Sequence, residues 1–268
     1  RTTVEQDCHH ARTAWWSCRD AGEQVLYWTL KNVALGPALT ALYRPVVHGL
    51  HHVPRNGPAI IAANHSSFFA SIALPLVVPR QLRYPAKAEY FNQPGVKGKV
   101  MAGFFRGVGQ IPTDRSGGRA SLAALGEAEQ VLKDGNLLGI YPEGTRSPDG
   151  RLYRGRTGVV RLALATGSPV VPVGLVGVDE IQPIEASVPK VRSFTATFDE
   201  PFDVTSFVQS LHAGESAEEQ NRAVLHPRRD DLRAATDEIM RRIQSITGQE
   251  YVDEYSSVVK SRRAAEGS

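Results

Sequence analysis

Cysteine is nearly absent from this chain of 268 residues: it has two, Cys8 and Cys18, both near the start and without CxxC spacing. That excludes a disulfide scaffold and argues against a zinc site, and it makes reducing cytosol the expected compartment. The pairs His9-His10 and His51-His52 lack acidic or thiol companions at ligand spacing, so no metal is expected. Long apolar runs are missing too. Residues 32 to 43 are bounded by Lys31 and Arg44, and 68 to 78 stop at Pro79 and Arg80, whereas a bilayer-spanning helix needs about 20 apolar residues. No signal-peptide pattern is expected at the polar start. Net charge is +3, without the dense basic clusters and interleaved aromatics of nucleic-acid binders, so no nucleic acid is expected. A mild basic bias suits an anionic small molecule or an acidic lipid surface.

What is present is an ordinary globular composition, 41% hydrophobic and 22% charged, enough to bury a sizeable core. All three tryptophans fall before residue 30, within a stretch 11–45 where Trp15, Trp16, Trp28, Leu35, Leu39 and Leu42 recur at helical spacing among Arg12, Arg19, Lys31 and Arg44. Two readings stay open there: amphipathic helices lying on a membrane, or a helix packed on the core. Residues 1–45 are therefore set apart as an N-terminal helical membrane-docking segment, and 46–268 as the main domain.

From residue 46 strands and helices alternate. Strands are expected at 59–63, 83–87, LLGI before Tyr141, and 170–178; helices at 71–77, 93–106, 117–134 and 156–166. The alternation implies an α/β domain, a mostly parallel sheet flanked by helices. Residues 227–247 read as a surface helix and SRRAAEGS as a frayed end.

Four segments carry chemistry: Asn64-His65-Ser66-Ser67-Phe68-Phe69-Ala70, Gly109 to Arg115, Tyr141-Pro142-Glu143-Gly144-Thr145-Arg146-Ser147, and Val170-Val171-Pro172-Val173. Each follows or forms an expected strand, so several would meet at the carboxyl ends of a parallel sheet, where ligands bind in such folds. His65 has the ionisation range of a general base near neutrality. No GxSxG elbow is present, so direct attack by an acceptor hydroxyl is the simpler scheme.

In this order and at these separations the four segments resemble the glycerolipid acyltransferase family of the lysophosphatidate acyltransferase type, over residues 45 to 205. The resemblance implies the family's α/β fold and transfer of an acyl group from acyl-CoA, or acyl carrier protein, to lysophosphatidate or glycerol 3-phosphate. The thioester is a co-substrate, and no cofactor is implied. A peripheral location on the cytoplasmic membrane face follows from the same resemblance. It places His65 and Glu143 in the catalytic set, with Arg115 and Arg146 gripping a phosphate. Gly144 and Thr145 would shape the pocket, and Lys87 is a further candidate for the phosphate.

One departure stands out. The family pattern has aspartate five positions after the histidine, and here that position is Ala70. An aspartate there would fix the imidazole tautomer and support the imidazolium; a methyl group does neither. Three readings follow: an introduced Asp-to-Ala change, favoured because the other blocks are intact; a divergent enzyme using another carboxylate; or a pseudo-enzyme that binds lipid silently. Nearby Ser66, Ser67 and Ser71 are potential hydrogen-bond partners of the ring, without a carboxylate's charge.

Overall fold

The computed structural model describes residues 27–87, 95, 98, 110–113, 119–184, 186 and 188–266. The stretches holding Trp15, Trp16, Arg115 and most of the helix expected over 93–106 lie outside them.

The first described helix runs from Tyr27 through a π-helical turn, Leu30–Ala34, into α1, Leu35–Tyr43. Pro37 has no N–H and its ring collides with the carbonyl four residues back, Val33, so the wide turn sits where the α-helical ladder must break. Its inner face is docked. Tyr27 and Tyr43 are buried, the Tyr43 ring meets Phe69 at 4.5 Å, and Lys31 Nζ donates to the Val78 carbonyl. Burial pushes the Lys31 ammonium down to about 8. Its outer face leaves Trp28, Val33, Leu35 and Leu42 exposed. One stripe of this segment thus packs on the core, as one of the two readings expects, and the other stays apolar and open.

The strands are β1 Val46–His48, β2 Ala59–Ala63, β3 Leu82–Lys87, β4 Gln110–Thr113, β5 Leu137–Ile140, β6 Leu152–Tyr153, β7 Val170–Val176, β8 Thr195–Phe198 and β9 Tyr251–Val252. Seven form one sheet in the order β1-β8-β7-β2-β5-β3-β4; β6 and β9 pair separately. From β7 to β4 every pairing is parallel, and β8 runs antiparallel to β7 with β1 alongside it. The fold is α/β, mostly parallel, as read. β2 is fully buried because it lies at the centre with helices on both sides. Ile61 and Ala63 face one core cluster with Phe69, Leu74 and Leu137, whereas Ile60 and Ala62 face a second with Leu138, Val160 and Ile239. That is the two-residue alternation of a strand.

The helices after α1 are α2 Ala70–Val77, α3 Arg119–Lys133, α4 Gly158–Thr166, α5 Val178–Ile181, α6 Val204–Leu211, α7 Ala217–Leu225, α8 Arg229–Thr247 and α9 Ser256–Glu266. Two expectations are corrected. α8 is not a surface helix: Leu232, Ala235, Thr236, Ile239, Met240 and Ile243 are buried along one stripe, at the three-to-four spacing that packs a helix on a sheet. Residues 261–266 of the stretch expected to fray belong to α9, whose Ser256 and Val259 are buried; 267 and 268 lie outside the described residues.

Candidate active site

β2 and β5 are neighbours in parallel register, Ala62 opposite Ile140, so the chain leaving each strand emerges at the same sheet edge. His65 stands two residues beyond β2, and Tyr141 and Glu143 one and three residues beyond β5. The His65 backbone N–H donates to Glu143 Oε1 at 2.8 Å, and the Tyr153 N–H donates to Oε2 at 3.1 Å. The Ser147 N–H returns to the His65 carbonyl at 2.8 Å. The histidine loop and the Glu143-Gly144-Thr145-Arg146 turn are therefore joined by one carboxylate and one backbone bond.

Glu143 is 1% exposed. Burial pushes its carboxyl up to about 7, against the opposing pull of the His65 and Tyr153 N–H groups and the Lys260 charge. Each oxygen thus accepts from a main-chain donor, so the carboxylate holds the path of the chain.

The imidazole is held from its face. Its ring stacks on Tyr141 with centroids 3.9 Å apart and planes 14° from parallel, and Tyr84 continues the column at 5.9 Å. Gly139 makes room: a Cβ there would come within 2.3 Å of the Tyr84 ring. Burial pushes the Tyr141 phenol up to about 12, so it stays neutral beside the histidine.

Asn64, just before the histidine, exchanges two hydrogen bonds with the backbone of Leu175 in β7 and donates to Gln249. The loop start is thus pinned to the neighbouring strand. Ser67 does not turn to the ring: its hydroxyl donates to the Gln182 carbonyl at 2.7 Å and accepts from the Phe69 N–H.

Ala70 opens α2 and is completely buried in the apolar cluster with Phe69, Ala73 and Leu74. A carboxylate there would sit at a helix N-terminus, where the aligned peptide dipoles favour negative charge.

Gly144 has φ +77°, and the Arg156 stem lies 2.9 Å from where a Cβ would be, so this position takes only glycine without strain. Thr145 accepts from Lys260 Nζ at 3.0 Å, and Arg146 is exposed beside it. Lys87 closes β3, opposite Thr113 of β4, so the strand leading to Arg115 ends beside it; Arg115 itself lies outside the described residues. β3 is flanked by β5 and β4, not an edge strand. Val170 to Val173 is buried in β7.

His65, Glu143, Gly144, Thr145 and Arg146 are thus brought together. Sequence reasoning missed the partners that hold them: Tyr84, Tyr141, Tyr153, Gln249 and Lys260. Tyr141 lay inside a quoted segment, but nothing in its spacing announces a stacked ring. Among the described residues no group of three or more His, Cys, Asp or Glu is placed to hold a metal. The His51 and His52 rings meet at 4.1 Å with their planes tilted by 52°, and His52 Nδ1 lies 3.0 Å from the Phe198 carbonyl.

The acyltransferase family model matches residues 44–176, the span that contains all four segments. The chain belongs to the glycerolipid acyltransferase family. It is 31% identical over 142 residues to the chloroplastic 1-acyl-sn-glycerol-3-phosphate acyltransferase of Brassica napus, which covers 53% of this chain and 40% of that protein. It is 30% identical over 133 residues to the 1-acyl-sn-glycerol-3-phosphate acyltransferase of Bacillus subtilis, covering 49% of this chain and 62% of that one. The chain therefore spans less than two thirds of the length of these relatives. The crystal structure of PlsC, the 1-acyl-sn-glycerophosphate acyltransferase of Thermotoga maritima, is similar with a TM-score of 0.56 and 26% identity, over 84% of this chain and 81% of that one. The α/β fold described above is accordingly shared with that structure.

Proposed function

We propose that the chain is an O-acyltransferase of the acyl-CoA:lysophosphatidate type, forming phosphatidic acid in phospholipid biosynthesis, with its general base impaired by Ala70. The observation that carries the reading is the junction of His65 with the Glu143-to-Arg146 turn through the Glu143 carboxylate. It brings a base and a cation to adjacent strand ends, as an acceptor bearing both a hydroxyl and a phosphate requires.

In the proposed step the free hydroxyl of 1-acylglycerol 3-phosphate attacks the thioester carbonyl while His65 Nε2 takes its proton. The new C–O bond forms, the C–S bond breaks, and the departing thiolate recovers the proton from the imidazolium. Arg146 grips the phosphate bidentately, with Arg115 and Lys87 as further cations. The turn of Gly144 and Thr145 shapes that end of the pocket. Glu143 serves as a positioning residue, holding the main chain at His65. The Tyr141 ring face supports the imidazolium, as aromatic faces do for cations. With no carboxylate at position 70, turnover should fall on the order of 10²–10⁴-fold below that of a chain with aspartate there.

No helix among the described residues is long and apolar enough to cross a membrane. The open apolar stripe of Trp28, Val33, Leu35 and Leu42 supports docking of residues 1–45 on an anionic membrane surface, and the proposal includes a peripheral location at the cytoplasmic face. A thioester of coenzyme A or of acyl carrier protein presents the same reacting carbonyl. Glycerol 3-phosphate is the alternative acceptor, and the missing carboxylate at Ala70 motivates the silent lipid-binding reading as the second.

Product identity tests this. An Ala70→Asp chain is given acyl-CoA with either lysophosphatidate or glycerol 3-phosphate, and lipids are read by mass spectrometry. Phosphatidic acid from the first, abolished by adding His65→Ala, is the expected result. Product only from glycerol 3-phosphate would reassign the acceptor, and no product from either would end the enzymatic reading.

A further inference from the structure

The last helix, α9, lies beyond the 44–176 span that the family model matches, yet it is fastened onto the Glu143-to-Ser147 segment. Ser256 Oγ donates to the Arg146 carbonyl at 2.9 Å, Lys260 Nζ donates to Thr145 Oγ1 at 3.0 Å, and Arg263 donates to the Pro148 carbonyl. Positions 256, 260 and 263 are spaced four and three apart, one stripe of a helix. Upstream, Tyr255 lies under the guanidinium of Arg156 at 5.0 Å, and Arg156 donates to Ser257 at 2.8 Å. The fastening is therefore continuous, and it fixes where Lys260 ends.

The cations on this stripe are not equivalent. Arg263 meets the Asp149 carboxylate at 2.7 Å, as Arg151 does at 2.8 Å with Glu250 as its second partner, so both are ion-paired where they stand. Lys260 instead contacts a hydroxyl, with Arg146 close enough to repel it. Burial first and the Arg146 charge second pull its ammonium down, and Glu143 opposes them. Glu143 makes no ion pair with Lys260, its oxygens being turned to the His65 and Tyr153 N–H groups. Two neighbouring cations at the mouth of a turn, without an ion-paired carboxylate among the described residues, are what a phosphate dianion satisfies.

The geometry points to Lys260 as a phosphate-binding residue: reaching in from α9 across Thr145, its ammonium shares the acceptor's phosphate with Arg146. This rests on the acyltransferase reading above, in which Arg146 grips that phosphate. The consequence is that acceptor recognition is completed by a helix outside the four family segments.

Two readouts test it separately. Calorimetric titration of sn-glycerol 3-phosphate into the chain, Lys260→Met and Lys260→Arg needs no turnover. Lys260→Met should bind about tenfold more weakly, with a shallower salt dependence, and Lys260→Arg should recover most of the loss. In the Ala70→Asp background, Lys260→Met should raise the KM for lysophosphatidate by a similar factor and leave that for acyl-CoA within about twofold. Unchanged affinity for glycerol 3-phosphate in Lys260→Met, or no binding by the parent chain, overturns the assignment. So does a loss that strikes donor and acceptor equally and that arginine does not rescue, since that marks a mere tether of the turn. If the Ala70→Asp chain turns over no acceptor while the titration still separates Met from Arg, the catalytic reading fails and the phosphate site stands.

Discussion

The first and last described helices meet the site from chemically opposite directions. The first helix, residues 27–43, reaches the histidine segment through Tyr43 on Phe69 and turns an apolar stripe outward, Trp28 at 60% and Val33 at 62% exposure. α9 reaches the Glu143-to-Arg146 turn and brings Lys260 and Arg263. An amphiphile with an acyl tail and a phosphate needs both surfaces, one for each end. On the proposed function, the sheet would supply the base between them and the two helices would divide the rest of recognition.

The largest expected effect is on the apolar side. Phe69 is 1% exposed between Tyr43 and Phe194, so Phe69→Ala should cost about 3–5 kcal/mol of unfolding free energy in a urea titration. A loss well under that would mean α1 is not anchored through this ring.

The polar side responds to pH. Folding raises the Glu143 carboxyl from 4.5 to about 7, so the folded chain binds that proton more tightly than the unfolded one. This contribution to stability is full below the unfolded value and is lost as pH rises through 7. Relative to the parent, Glu143→Gln should therefore gain about 3 kcal/mol between pH 4.5 and 8. A flat difference across that window would deny the carboxylate its buried, strained setting.

The smallest effect on stability, and the sharpest on the comparison, comes from the open stripe. Trp28→Ala with Val33→Ser should change unfolding free energy by no more than about 0.5 kcal/mol and still weaken flotation with anionic vesicles. Equal flotation would leave the stripe without a role in docking.

Central strands were legible because they are buried on both faces and read as unbroken apolar runs, AIIAA and VVPVGLV. The reversed strands were not: β8, TATF, alternates polar and apolar over only four residues, and β1 has three. Helices α6 and α7 carried readable signals that went unused, Asp203 capping the first and a Ser216–Glu219 capping box the second. In the site, the residues that name a chemistry stood out as letters. Those that position them did not, because ring stacking of Tyr141 and the arrival of Lys260 over more than 100 residues of chain are properties of the packed sheet.

The central claim is that this is an acyl-transfer site whose base lacks its carboxylate. Free-thiol release from acyl-CoA, with and without lysophosphatidate, by the chain and its Ala70→Asp variant tests it most directly. The account predicts acceptor-dependent release rising on the order of 10²–10⁴-fold when aspartate is restored. Equal rates in the two proteins, or silence in both while lipid binding persists, would contradict it and remove His65 from the role of base.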